Sequence, residues 1–187
     1  MTKKYELLDS DTVQSWDGRT LKRIKALVAV GLSVSAGDLG GYVESEKHLS
    51  QLGNAWVYGD AWVYGNAWVY GDAQVYGNAR VYGNARVYGN AWVYGNAWVY
   101  GNAQVYGDAW VENHTHWLII GPAKSTGRFT TAHIDKELKV RVNCGCFTGT
   151  VKEFSESIEK THANNQTNLE QYRLFCQLIA FNFGITE

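Results

Sequence analysis

Cysteine, net charge and long apolar runs are all scarce in this chain of 187 residues, and each shortage removes a class of protein. Three cysteines, Cys144, Cys146 and Cys176, do not make a disulfide framework and lack metal-ligand spacing. The formal net charge is −1, so neither the basic stripe of a nucleic-acid binder nor the acidity of a DNA mimic is present. Between Leu21 and Gly37, Lys22, Arg23 and Lys25 precede an apolar run that imitates a secretory signal. It begins some twenty residues in, behind a polar, charged segment, and it is too short to span a membrane. No nucleic acid and no membrane are therefore expected as partners, and the expected compartment is the cytoplasm of a bacterial cell.

What fills the chain instead is repetition. Nine consecutive copies of Val-Tyr-Gly-(Asn/Asp)-Ala, each separated by one variable residue, run from Val57 to Ala109. A strict six-residue period implies a stack of identical short units. Side chains alternate along a strand, so Ala55 and Val57 point one way while Trp56 and Tyr58 point the other. The variable slot holds Trp56, Trp62, Trp68, Trp92, Trp98 and Trp110, but also Gln74, Gln104, Arg80 and Arg86. A slot that accepts Trp, Gln and Arg faces solvent, so Ala and Val form the interior. Gly-Asn and Gly-Asp tolerate the left-handed backbone of a sharp corner. Corners that all turn the same way wind the chain into a thin three-sided prism, with three hexapeptides, eighteen residues, per turn. From Asn54 to Val111 that gives about three turns, a column ~15 Å tall at the usual spacing between paired strands.

The array resembles the hexapeptide-repeat proteins, in which a small residue sits two positions before an aliphatic one, as Ala55 and Val57 do. The resemblance implies a left-handed parallel β-helix. It departs where Tyr occupies a position that is Gly or small and polar in many members. At a second level the whole chain resembles uncharacterised phage and prophage proteins with Tyr-Gly-Asn-Ala arrays. That match rests on Gly18-Arg-Thr-Leu-Lys-Arg-Ile-Lys-Ala-Leu27, Ala36-Gly-Asp-Leu-Gly-Gly-Tyr-Val-Glu-Ser-Glu46 and Gly145-Cys-Phe-Thr-Gly-Thr-Val-Lys-Glu-Phe154.

The flanks differ from the array. Lys4–Leu8, Thr12–Trp16 and Thr20–Val28 read as strands around an Asp17-Gly18 turn, and residues 36–46 as an irregular first coil. Beyond the array, Trp117–Gly121, Arg128–Ile134 and Leu138–Cys146 read as strands. Thr150 to Glu153 is a capping box opening a helix, and a second helix covers about Asn168–Phe181. The expected fold is mainly β: an N-terminal β cap over 1–32, a left-handed parallel β-helix of three hexapeptides per coil over 33–113, and a C-terminal α+β module over 114–187.

Candidate chemistry is sparse. Hexapeptide-repeat enzymes are mostly acyltransferases, and the resemblance implies a trimer with the acyl donor between coils and a His base. Here the array has no His, and only His114 and His116, spaced to share one strand face, lie nearby. That pair could also gather a metal in a trimer; the plainer reading is polar strand-end residues. Cys144 and Cys146 continue the alternating face of Val140 and Val142 and read as core, and His133 and His162 have no recognisable partner. The aromatic exterior is what remains. Every eighteen residues the same face returns, so Trp56, Gln74, Trp92 and Trp110 form one column, Trp62, Arg80 and Trp98 a second, Trp68, Arg86 and Gln104 a third. Tyr64, Tyr82 and Tyr100 make one of three tyrosine ladders. Stacked rings stabilise a sheet on their own account. Even so, fifteen outward aromatics exceed what a soluble monomer leaves wet, so a subunit, the flanks or a foreign partner should cover part of them.

The preferred reading is a non-catalytic, oligomeric binding or assembly protein, a trimer by resemblance. Its binding surface is expected at Trp56, Trp62, Trp68, Arg80, Arg86, Trp92, Trp98, Trp110, Tyr64, Tyr82 and Tyr100. The phage resemblance implies an accessory role toward a host protein, such as a defence component, and no cofactor is implied. The alternatives are an acyltransferase-like enzyme with His114 or His116 as base, and a sponge for a small ligand or nucleotide with pockets between subunits.

Overall fold

A computed structural model describes residues 2–124 and 126–185 and divides the chain into two compact units, Met1–His114 and Thr115–Glu187. In the first unit, β1 (Tyr5–Gln14) and β2 (Thr20–Ala26) form an antiparallel hairpin closed at Gly18, and β3 (Leu39–Val43) pairs with β2. The two strands expected over residues 4–16 are one strand. A bulge between Leu8 and Thr12 bends it without breaking the pairing.

Ten two-residue strands follow at six-residue intervals, from β4 (Trp56–Val57) to β13 (Trp110–Val111). Each of the first seven pairs in parallel with the strand eighteen residues on: Trp56 lies over Gln74, Trp62 over Arg80, Trp68 over Arg86. Three sheets result, and the aligned faces are those the eighteen-residue count requires. The irregular coil adds a rung to the expected three turns. Tyr42 pairs with Trp62 and Leu49 bridges to Val69, so the solenoid is about four turns deep.

Through the ten repeats the shaft is filled by alanine and valine alone. Ala55 through Ala109 and Val57 through Val111, at every repeat, are at most 1 % exposed. Burying each valine contributes roughly 1.5–3 kcal/mol. The corner glycines all adopt left-handed backbone; at Gly83 (φ +71°) an added Cβ would also lie 2.9 Å from the Gly101 nitrogen of the next coil. Corner amides stack in columns, Asn66 Nδ2 donating to Asn84 Oδ1 (3.2 Å) and Asn84 to Asn102 (3.1 Å).

The N–H groups that bond between coils all point the same way. The Trp56 nitrogen donates to the Ala73 carbonyl, Tyr58 to Val75, Trp62 to Ala79. The first coils are therefore left with carbonyls aimed at the N-terminal end, and buried backbone acceptors need partners. Side chains of the cap and of the first coil supply them. Lys4 Nζ donates to the Ala55 carbonyl (2.8 Å), Tyr5 Oη to Leu49 (2.7 Å), His48 Nδ1 to Ala67 (2.8 Å) and Arg23 Nη1 to Gly40 (2.8 Å) and Gly59 (3.2 Å).

The second unit is an antiparallel meander of β14 (Trp117–Ile120), β15 (Thr130–Ile134), β16 (Val140–Cys144) and β17 (Phe147–Thr150), with helices α1 (Val151–Thr161) and α2 (Gln166–Phe183). The strand expected over 138–146 ends at Cys144: Gly145 (φ +63°) turns the chain into β17, which leaves Cys146 exposed rather than on the core face. The capping box forms as expected, with Thr150 Oγ1 accepting from the Glu153 nitrogen (3.2 Å) and Glu153 Oε2 accepting from the Thr150 nitrogen (2.7 Å). One sheet face and both helices enclose Ala132, Val142, Cys144, Phe154, Ile158, Leu169, Tyr172 and Ile179. Cys176, expected on that stripe, is half-buried at its margin.

Candidate functional site

The outer walls of the prism carry the aromatic columns. Tyr64, Tyr82 and Tyr100 stack at 5.2 and 5.4 Å; Tyr70, Tyr88 and Tyr106 stack at 4.7 Å in both steps. Such spacing follows from the distance between parallel strands. The rings are partly desolvated, which raises the phenol pKa values of Tyr64, Tyr70 and Tyr82, and pushes Tyr88 up to about 12 with the help of Tyr106 and Tyr70. These hydroxyls are neutral at physiological pH and serve as hydrogen-bonding groups rather than bases.

In the second column the Arg80 guanidinium lies between two indoles, 4.2 Å from the ring centroid of Trp62 and 5.3 Å from that of Trp98. Each contact is worth about 0.5–1 kcal/mol at a partly exposed site. Trp92 packs edge-on to Trp110 (5.8 Å), and Trp68 stacks on Tyr70 (4.2 Å). Arg86 is exposed in register between Trp68 and Gln104.

Two residues expected at the binding surface are covered. Trp56 is 1 % exposed because the Tyr5 ring meets it edge-on at 6.2 Å. Tyr64 is equally buried, packed with Leu21 and Tyr42 and accepting a hydrogen bond from Trp16 Nε1 (2.8 Å). The cap is therefore the cover for the top of two faces. Trp62, Arg80, Tyr82 and Trp110 are half-buried, whereas Trp68, Arg86, Trp92, Trp98 and Tyr100 are exposed. Trp16 escaped the sequence reading. It is 72 % exposed, and its one signal was position, just before the Asp17-Gly18 turn where no strand partner remains.

His114 and His116 do not share a strand face, for both lie in the turn before β14. Among the described residues no cluster of three or more His, Cys, Asp or Glu is placed to hold a metal ion. No helix there is long and apolar enough to cross a membrane. In the second unit His133 is buried against Asn143 (3.3 Å), and Asp135 pairs with Arg141 (2.8 Å). Burial drives the His133 pKa down to about 4, despite Asp135, so the ring is neutral at neutral pH. Burial likewise raises the Cys176 thiol to about 11, which makes it a poor nucleophile.

No curated protein matches this chain. A family model described as the YdcK Beta solenoid repeat matches residues 55–71, 73–86 and 85–101, each segment roughly one coil of the prism. That similarity and the stacked parallel coils together make this chain a β-solenoid repeat protein.

Proposed function

We propose that this chain is a non-catalytic recognition and assembly protein whose working surface is the aromatic wall of the solenoid. The carrying observation is that exposed rings remain on each of the three faces. Trp68, Trp92, Trp98 and Tyr100 remain 42, 40, 46 and 46 % exposed after the cap has covered Trp56 and Tyr64. Large rings held at fixed spacing lose little conformational entropy on binding, and Trp, Tyr and Arg supply most interface hot spots. Left-handed winding, parallel three-fold assembly, phage or prophage origin and a host-protein partner in the bacterial cytoplasm belong to this proposal. They rest on the resemblances of the repeat and its flanks.

Gln occupies the Trp slot at Gln74 and Gln104, so Trp→Gln changes suit the coil. Light scattering is expected to give three times the 20.9 kDa of one chain. Trp68→Gln combined with Trp92→Gln should lower that mass or abolish partner capture at unchanged melting temperature. A wild-type chain that stays at 20.9 kDa across the micromolar range removes the assembly half of the proposal. Acyl-coenzyme A should leave Trp fluorescence unaltered; a saturable response abolished by His116→Ala would favour an acyltransferase instead.

A further inference from the structure

We infer that the face built from Trp62, Arg80, Trp98, Tyr82 and Tyr100 is a docking site for an acidic peptide segment of a protein partner, with Arg80 as the fork that receives a carboxylate. The inference rests on the preceding reading of the aromatic wall as a recognition surface and names the partner chemistry at one of its faces.

Arg80 combines two features. Its guanidinium carbon lies over the indole rings of both Trp62 and Trp98. Among the described residues no hydrogen bond or ion pair reaches its guanidinium, as none reaches that of Arg86 or Arg128, while Arg19, Arg23, Arg141 and Arg173 all hold carboxylates. A guanidinium carries five N–H donors. Sandwiched between two indoles and without an acceptor, Arg80 keeps those donors for a ligand. The same sandwich fixes the long side chain, so the rotamer entropy that usually weakens an exposed ion pair is already lost before a ligand arrives.

The surroundings select the ligand. Arg80 is half-buried, and the exposed rings of Trp98 and Tyr100 stand on the next rung of the same face. Their apolar surface lies beside one positive charge, which suits an Asp or Glu flanked by apolar side chains. One fork fits one carboxylate in bidentate geometry. A phosphate dianion would ordinarily gather further donors. Around Tyr64, at the other end of the face, Asp17 and Glu44 share Arg19 (2.8 and 2.9 Å). That trio carries a net negative charge and disfavours a highly charged polyanion. Arg86 provides an internal comparison: the same residue type, one hexapeptide later on the adjacent face, exposed, with Trp68 on one neighbouring rung but Gln104 in place of a second indole on the other.

The test uses the full chain and a defined probe, a random dodecapeptide library panned on immobilised protein. Selected peptides are expected to carry Asp or Glu next to Trp, Phe or Leu. Their binding, read by quenching of Trp fluorescence, should weaken at least tenfold in Arg80→Gln. Arg80→Lys should lie between, since it keeps the charge and loses the fork. Arg86→Gln should change nothing. Gln is tolerated in this slot at Gln74 and Gln104, and an unchanged melting temperature will show that each variant folds. Acid-free peptides, or equal binding to Arg80→Gln, overturn the inference. If that happens while Trp98→Gln still abolishes binding, the aromatic wall remains a recognition surface and only the carboxylate assignment is lost. If neither variant weakens binding, both readings fall. Competition by millimolar ATP as strong as that by the peptide would replace carboxylate with phosphate and likewise overturn the assignment.

Discussion

At each corner a single residue, Asn or Asp, decides the local electrostatics. One column reads Asn54, Asp72, Asn90, Asp108, so no carboxylate lies directly above another. Asn54 Nδ2 donates to Asp72 Oδ1 (2.8 Å), and Asn90 Nδ2 to Asp108 Oδ1 (3.3 Å). Asn90→Asp would put three carboxylates in adjacent rungs and remove one donor. The expected cost at pH 7 is about 0.5–1 kcal/mol, the scale of an unfavourable cross-strand pair. High salt should shrink the deficit, since it screens exposed like charges. Thermal unfolding at low and high salt checks this. A deficit that persists at high salt would mean the lost hydrogen bond, not repulsion, is responsible.

At the scale of elements, the governing fact is the shared direction of the coil N–H groups, which hands the N-terminal cap a row of carbonyls to satisfy. Tyr5 does this with its one hydroxyl proton, nearest the Leu49 carbonyl (2.7 Å) with the Glu46 carbonyl also in reach (3.1 Å). Tyr5→Phe keeps the ring on Trp56 and removes the donor, so a loss of about 1–3 kcal/mol is expected in urea unfolding. In the meander, β15 buries His133 as the neutral ring, with its pKa lowered to about 4. The unfolded ring titrates near 6.5. The unfolded state therefore binds more protons between these values, and stability is full above about pH 6.5 and falls as the pH drops toward 4. Asp135, held below the usual carboxylate range by Arg141 and the Lys139 and Glu137 N–H groups in spite of its burial, loses its contribution only at lower pH. His133→Gln should flatten the stability profile between pH 6.5 and 4. An unchanged slope would place the acid sensitivity elsewhere.

For the molecule as a whole, two units with separate cores provide two spectroscopic handles. Seven of the eight tryptophans, Trp16 to Trp110, lie in the first unit, and both α-helices lie in the second. Indole fluorescence thus follows the solenoid, and helical circular dichroism follows the C-terminal unit. Stability in a solenoid accumulates coil by coil, whereas the second unit depends on one helix–sheet core. The two probes are expected to give different midpoints in urea, since unfolding of a chain with two cores is not two-state. Coincident curves would show a single cooperative block.

The six-residue period by itself determined the solenoid: which side chains fill the shaft, which faces recur every eighteen residues, and which rings share a column. Each of these follows from strand alternation and corner geometry, which are local. The helix start at Thr150 was legible for the same reason, because a capping box is written within four residues. Tertiary structure alone decided what the cap covers. Trp56 and Tyr64 have the same repeat sequence around them as Trp92 and Tyr100, yet Tyr5, Leu21 and Trp16 bury the first pair and leave the second exposed. The Arg80 sandwich belongs between the two: its column was countable from the spacing, but the missing ion partner emerged only when every neighbouring carboxylate had been placed in space. Burial and ion pairing are set by residues distant in the chain, and a repeat cannot encode what its neighbours bring to it.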